Sequence, residues 1–264
     1  MKAKRSEKIL RVYVGAMLLF LVLPIAVVIP AAFSSGQTLR FPPKGFSLRW
    51  FENAWNTPGF WEAFKVSLLV AGIATCISLV IGTLASFAIV RHRFPGKQFF
   101  ELLFMTPLVF PAIVLAVALS MVLGSVGLVR NFWGLVFAHV IITVPYVVRT
   151  VGATLAEIDR AFEEAAATLG ANTMRTFFEV TLPMLGPGLV AGAVFSAIMS
   201  FDEFTVSLFL VGPGVMTLPL EIYYYTEFSM DPTVAAISTM LLGVTALIVV
   251  LIERSIGLRK QFRH

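Results

Sequence analysis

Charge is scarce in this chain: 13% of its 264 residues are Asp, Glu, Lys or Arg, whereas 58% are hydrophobic. A soluble domain of this length carries about 25% charged residues. The shortage excludes an ordinary water-soluble fold and makes lipid the solvent. Cysteine is nearly absent, and Cys76 alone excludes an internal disulfide framework and a thiolate metal cluster. No G-x-x-x-x-G-K-[ST] stretch occurs, so the chain has no phosphate-cradling loop of its own. An intramembrane enzyme also lacks its parts. There is no His-Glu-x-x-His spacing and no convincing Ser/His or Asp/Asp pair on two helices, and His139 reads as a packed, hydrogen-bonded helix residue.

What is present is a set of long apolar stretches. A helix needs about 20 mostly apolar residues to cross a bilayer, and six stretches qualify: about 12–33, 66–90, 99–123, 132–148, 189–211 and 233–252. The sequence therefore predicts an all-α membrane protein with six transmembrane helices. Loops retained in the cytoplasm carry the excess of Lys and Arg. With the N-terminus inside, fifteen basic residues fall on the cytoplasmic side, and five, Arg40, Lys44, Arg49, Lys65 and Arg130, fall outside. This asymmetry predicts both termini inside. It also accounts for the formal net charge of +5 without nucleic acid as a partner. The basic start and first apolar run resemble a signal peptide, with Ala31-Ala32-Phe33 as small-residue stretch, but the run is longer than a signal core of about 7 to 15 residues. It reads as a retained helix.

The predicted organisation is a first helix with an external segment (1–62), a core transmembrane domain (63–253) and a cytoplasmic tail (254–264). Trp50, Phe51, Trp55, Phe60 and Trp61 suit an interfacial segment lying on the membrane, with ligand stacking as the alternative. Asp231-Pro232 places a capping acid and a first-turn proline before the last helix. The loop 149–188 is amphipathic. Glu157 and Asp159 sit where a helix N-terminus favours acids, Ala161, Ala165, Ala166 and Ala167 are strong helix formers, and Gly170 suits a left-handed cap. A second short helix begins near Asn172 or Thr173 and is limited by Pro183.

Within that loop stands Glu164-Ala165-Ala166, three residues, Gly170, nine residues, then Val180-Thr181-Leu182-Pro183. This resembles, without gaps, the EAA motif of the binding-protein-dependent ABC transporter permeases, with Val180 in place of Ile. The resemblance implies a type I ABC importer permease fold in the bacterial inner membrane. It also implies partners: ABC ATPase subunits that bind ATP and Mg, a second permease subunit and an extracytoplasmic substrate-binding protein. In such a permease the loop inserts a helix into the ATPase. Ala165 and Ala166 would permit close approach, Glu164 would offer a charge, Gly170 would turn the chain, and Leu182 and Pro183 would complete the motif. A channel or secondary carrier would need no such loop.

The likeness runs from Ser47-Leu48-Arg49-Trp50-Phe51 through the last helix, and its narrower part is to polyamine (spermidine or putrescine) permeases. It rests on Ala138-His139, Ser200-Phe201-Asp202-Glu203-Phe204, Val211-Gly212-Pro213-Gly214, Thr217-Leu218-Pro219-Leu220 and Ile222-Tyr223. Permeases for iron, phosphonates or amino-acid-like compounds share parts of these motifs and stay as alternatives. Asp202 and Glu203 are the candidate pathway residues for a cation. At about 1.5 Å per residue, Asp202 would lie roughly 20 Å along a continuous fifth helix. A charge at mid-span costs about 2.5–3.5 kcal/mol, so both acids should face protein or water. The competing reading is that both only join helices or cap the break before Gly212.

Overall fold

The computed structural model describes residues 2–229 and 231–256; most of the expected tail, 257–264, lies outside them. Among the described residues the chain is helical and forms no sheet, apart from one isolated bridge between Gly212 and Val215. The helices are α1 (Lys2–Ala32), α2 (Arg49–Asn56), α3 (Pro58–Arg91), α4 (Lys97–Val109), α5 (Ala112–Ser125), α6 (Phe132–Glu157) and α7 (Ala161–Thr168). The short α8 (Thr173–Thr176), a π-turn (Phe177–Thr181) and α9 (Leu182–Met184) follow. Then come α10 (Gly186–Phe201), α11 (Thr205–Leu210), α12 (Leu218–Phe228) and α13 (Thr233–Ile256). Two compact units divide the chain, residues 1–61 with 222–264, and residues 62–221.

In the first unit α1 packs on α13, and α13 on α2. The aromatic segment is partly drawn inward rather than lying wholly on a surface. Trp50 is buried, its indole N–H donates to Ser34 O at 2.8 Å, and Arg49 stacks over its ring. Trp55 stays exposed, edge-on to Trp61 at 4.6 Å. Asp231 accepts the Thr233 N–H at 2.9 Å, which caps α13. The Tyr225 hydroxyl donates to Asp231 as well, and burial chiefly holds that phenol above its usual range.

The second unit is organised around α6, nearly all of whose inward positions are buried. Two small-residue stripes at four-residue spacing, the spacing that lines one helix face, flank it. Ala74, Ser78, Gly82 and Ser86 are the buried stripe of α3; Gly188, Gly192, Ser196 and Ser200 are that of α10. Between apolar helices in lipid there is little hydrophobic drive, so close backbone approach and interhelical hydrogen bonds hold the pair. Both are present. A Cβ at Gly82 would meet Val147 Cβ at 2.6 Å, and one at Gly188 would meet Thr154 Oγ1 at 2.5 Å. Ser78 and Thr143 hydroxyls lie 2.7 Å apart, and Ser86 donates to Val148 O at 3.0 Å. On the remaining side α11 packs against α5, placing Val206 and Leu210 in one core with Ala116, Leu119, Leu123, Leu135 and Val136.

Three unbroken helical stretches, Leu10–Ala32, Pro58–Arg91 and Phe132–Glu157, are long and apolar enough to cross a membrane. The other expected spans differ from the continuous helices read from the sequence. The third is bent by 109° between α4 and α5. There Phe110 is extended (φ −74°, ψ 143°) because Pro111 follows. The fifth, expected at 189–211, is interrupted at residues 202–204, and a 70° bend before Gly186 sets it off from the preceding short helices. The apolar part of the last helix is Thr233–Leu247 among the described residues. The fourth runs on to Glu157, so Arg149 lies within a helix rather than opening a loop.

Gly82→Val should prevent α3 from reaching α6, whereas Gly72→Ala, with nothing within 4 Å of its Cβ, should be neutral. Overpacking of this kind costs about 1–3 kcal/mol. Thermal unfolding of the two variants in detergent measures the difference.

Candidate functional site

The loop that carries the Glu-Ala-Ala spacing is built from short helices. Glu157 ends α6, so it does not start the next helix as its position suggested. That role falls to Asp159, whose carboxylate accepts the Ala161 N–H at 3.0 Å. Helix α7 then carries Glu163, Glu164, Ala165 and Ala166. It closes on Leu169, after which Gly170 adopts φ +88°. The Ala171 N–H reaches Ala166 O and the Gly170 N–H reaches Ala167 O, both at 3.0 Å. This pair of bonds is the Schellman arrangement, and the left-handed residue within it favours glycine.

Asn172 caps α8 by accepting the Arg175 N–H at 2.8 Å. Pro183 does not end that helical run, which continues to Met184. Instead the turns before it widen: the Leu182 N–H bonds to Phe177 O, five residues back. A proline that lacks an N–H and crowds the preceding turn is met here by a π-turn. Leu182 is half-buried and Pro183 exposed.

The two acids of α7 have different surroundings. Glu164 is exposed, as is Ala165, while Ala166 is half-buried. Glu163, which the sequence reading passed over, is the anchor. Its Oε1 accepts from Arg91 Nε at 2.9 Å and from Thr181 Oγ1 at 3.1 Å. Arg91 also donates to Ile158 O at 2.9 Å. Arg160 completes the attachment by donating to Arg91 O and Val90 O. The Arg91 side chain is only 7% exposed and that of Glu163 19%. Partners 72 residues apart leave no local signature, which is why the pair was missed. Around them lies a cavity of about 310 Å³ lined by Phe87, His92, Arg160, Glu163, Glu164 and Phe177, among others. Phe162, Leu169, Met174 and Phe178 stand exposed on the same loop, Leu169 at 89%.

The second candidate pair lies at the break after α10, not along a helix. Asp202 is the C-cap of α10, and its backbone N–H bonds to Ile198 O. Its side chain is exposed and has no hydrogen-bond or ion-pair partner among the described residues. Glu203 is half-buried, and its carboxylate accepts the Val206 N–H at 2.8 Å, which caps α11. Behind both, His139 is buried, 2.8 Å from Ser200 Oγ and 3.1 Å from Ser207 Oγ. Among the described residues no group of His, Cys, Asp and Glu is arranged to hold a metal ion.

Long apolar helices, two of the spans broken, with a polar element carried beyond them, make up a fold that solved ABC importers share. The same architecture, at TM-score 0.74 and 20% identity, occurs in a chain of a bacterial ABC transporter that imports the acidic polysaccharide alginate, covering 100% of this chain and 99% of that one. Residues 78–259 match the family described as binding-protein-dependent transport system inner membrane component, and the chain belongs to that family. It is 32% identical over 238 residues to the spermidine/putrescine transport system permease protein PotC of Escherichia coli (strain K12), covering 90% of each chain. It is 30% identical to the putrescine transport system permease protein PotI of the same strain, covering 87% of this chain and 84% of that relative.

Removing one partner of a buried, hydrogen-bonded ion pair costs about 3–5 kcal/mol in full burial. The partial exposure of Glu163 reduces that figure. Arg91→Ala and Glu163→Gln should therefore raise hydrogen exchange across residues 158–182 while leaving α6 protected. Exchanging the two charges should restore part of the protection, and exchange measured by mass spectrometry on the full chain reads both effects.

Proposed function

We propose that this chain is one of two permease subunits of an ATP-driven importer for polyamines, spermidine or putrescine. The observation that carries this reading is the 161–171 element. Its Glu164 and Ala165 are exposed, its far end is turned by Gly170, and its near end is tied to Arg91. Such an element is shaped to be gripped by a separate subunit. The polyamine class follows from the two relatives, PotC and PotI, whose names carry it.

In this reading the chain crosses the bacterial inner membrane six times, with each bent span counted as one crossing and both termini in the cytoplasm. Glu164, Ala165 and Ala166 enter a groove of the ATPase. Phe162, Leu169, Met174 and Phe178 supply the apolar area that such a contact buries. Gly170 sets the angle of the helix, and Leu182 and Pro183 return the chain to the membrane. ATP and Mg sit on the ATPase, and this chain catalyses nothing itself. An extracytoplasmic binding protein delivers the substrate, and a second, heterologous permease forms the other half of the pathway.

The two acids at the break divide the work. Asp202, exposed and without a partner among the described residues, faces the path of the cation, and Glu203 holds the start of α11. An exposed carboxylate attracts an ammonium group, and a partly desolvated one does so more strongly than it would in water.

Two experiments test the reading. A reporter active only outside the cytoplasm, fused after Gly170, should be inactive, and the same reporter fused within 126–131 should be active; the reverse pattern would overturn the orientation. In proteoliposomes holding the whole transporter, Glu164→Ala and Asp202→Asn should each reduce spermidine uptake about tenfold or more, the factor set by 1.4 kcal/mol. Glu164→Ala should also uncouple ATP hydrolysis from uptake, whereas Asp202→Asn should leave basal hydrolysis intact. Wild-type uptake by Asp202→Asn would remove that residue from the pathway.

A further inference from the structure

The break after α10 is bridged by a single imidazole. Ser200 lies on α10 and Ser207 on α11, on opposite sides of residues 202–204, and the ring of His139 on α6 reaches both. The Ser207 hydroxyl in turn donates to Glu203 O at 3.0 Å. The contacts therefore run from Ser200 through His139 and Ser207 to the Glu203 carbonyl, and the tautomer of the ring decides which nitrogen donates.

The same histidine is held from behind. Thr143 Oγ1 donates to His139 O at 2.7 Å, and Ser78 of α3 lies 2.7 Å from that hydroxyl. The turn of α6 that carries the ring is thus joined to α3, and the two helix ends are held by the ring. Simple filling of space does not account for this arrangement. A leucine would occupy much the same volume and would leave the Ser200 and Ser207 hydroxyls without their buried partner.

We propose that His139 is a positioning residue for transport. It sets the angle between α10 and α11, and with it the place of the Asp202 carboxylate at the open end of the break. For transport, this inference rests on the assignment of Asp202 to the cation path made above; for geometry it stands alone. His139 touches no substrate. Its effect passes through Ser200 on one side and through Ser207 and the Glu203 carbonyl on the other.

The test reads geometry at residue 202 directly. In the assembled transporter carrying Cys76→Ser, the Asp202→Cys thiol is labelled with a cationic methanethiosulfonate reagent, and Val126→Cys serves as the control. His139→Leu should change the labelling rate at 202 by about fivefold or more, as expected for one or two lost interhelical hydrogen bonds, and leave the control within about twofold. His139→Gln, which keeps one donor and one acceptor, should recover most of the rate. If His139→Leu does not assemble, Ser207→Ala removes only the α11 side of the bridge, its contacts with His139 and the Glu203 carbonyl, and should shift the rate in the same direction. An unchanged rate at 202 in the assembled variant overturns the proposal. A changed rate alongside normal uptake by Asp202→Asn would keep the positioning role and discard only the pathway role of Asp202.

Discussion

Close contact between α6 and its two neighbours is the constraint on which the membrane-embedded unit depends. In lipid, burying an apolar side chain against another helix gains little over leaving it against acyl chains. Distance is therefore decisive. The stripes of small residues on α3 and α10 remove the side chains that would hold the helices apart, and hydroxyls at the same positions add bonds across the gap. Ser78 to Thr143 and Ser86 to Val148 O lock the α3 side. A shift of α6 by one residue would turn both its glycine-facing valine and His139 away from their partners, so packing and polar registry specify the same arrangement.

That registry reaches both candidate regions. At one end, the long α6 carries the chain beyond the apolar stretch to Glu157 and delivers it into α7, where Arg91 of α3 receives Glu163. At the break, α6 supplies His139. One helix of 26 residues thus links the Glu-Ala-Ala stretch to the two acids. The division of labour within each acidic pair follows the same logic. In both, one carboxylate is taken up by the protein, Glu163 by Arg91 and Thr181, Glu203 by the Val206 N–H, and the other is left exposed.

Much of this was legible from residues alone. Runs of apolar residues mark α1, α3 and α6, and the helices continue even through Pro24 and Pro30 in α1 and Pro145 in α6. Gly170 announced its left-handed turn because a run of alanines before a glycine has few other uses. The breaks were less visible. Pro111 signals its bend through the restriction on Phe110, but apolar residues on both sides conceal it from a hydropathy reading. The interruption at 202–204 has no proline or glycine at all. It exists because Glu203 takes the N–H of Val206 and His139 engages both sides, and the second of these is set by a residue more than sixty positions away. Arg91 and Glu163 are hidden for the same reason, as each looks alone like a solvated charge.

The attachment of α7 has a mechanical consequence. Arg91 is the last residue of α3, and its guanidinium holds both the Glu163 carboxylate and the Ile158 carbonyl. The short helix is therefore mounted on a 34-residue rod through a joint fixed at two points, and a joint fixed at two points resists swivelling. Any push applied to the exposed face of α7 would therefore meet the ends of α3 and α6 through this joint and not slack in a loop.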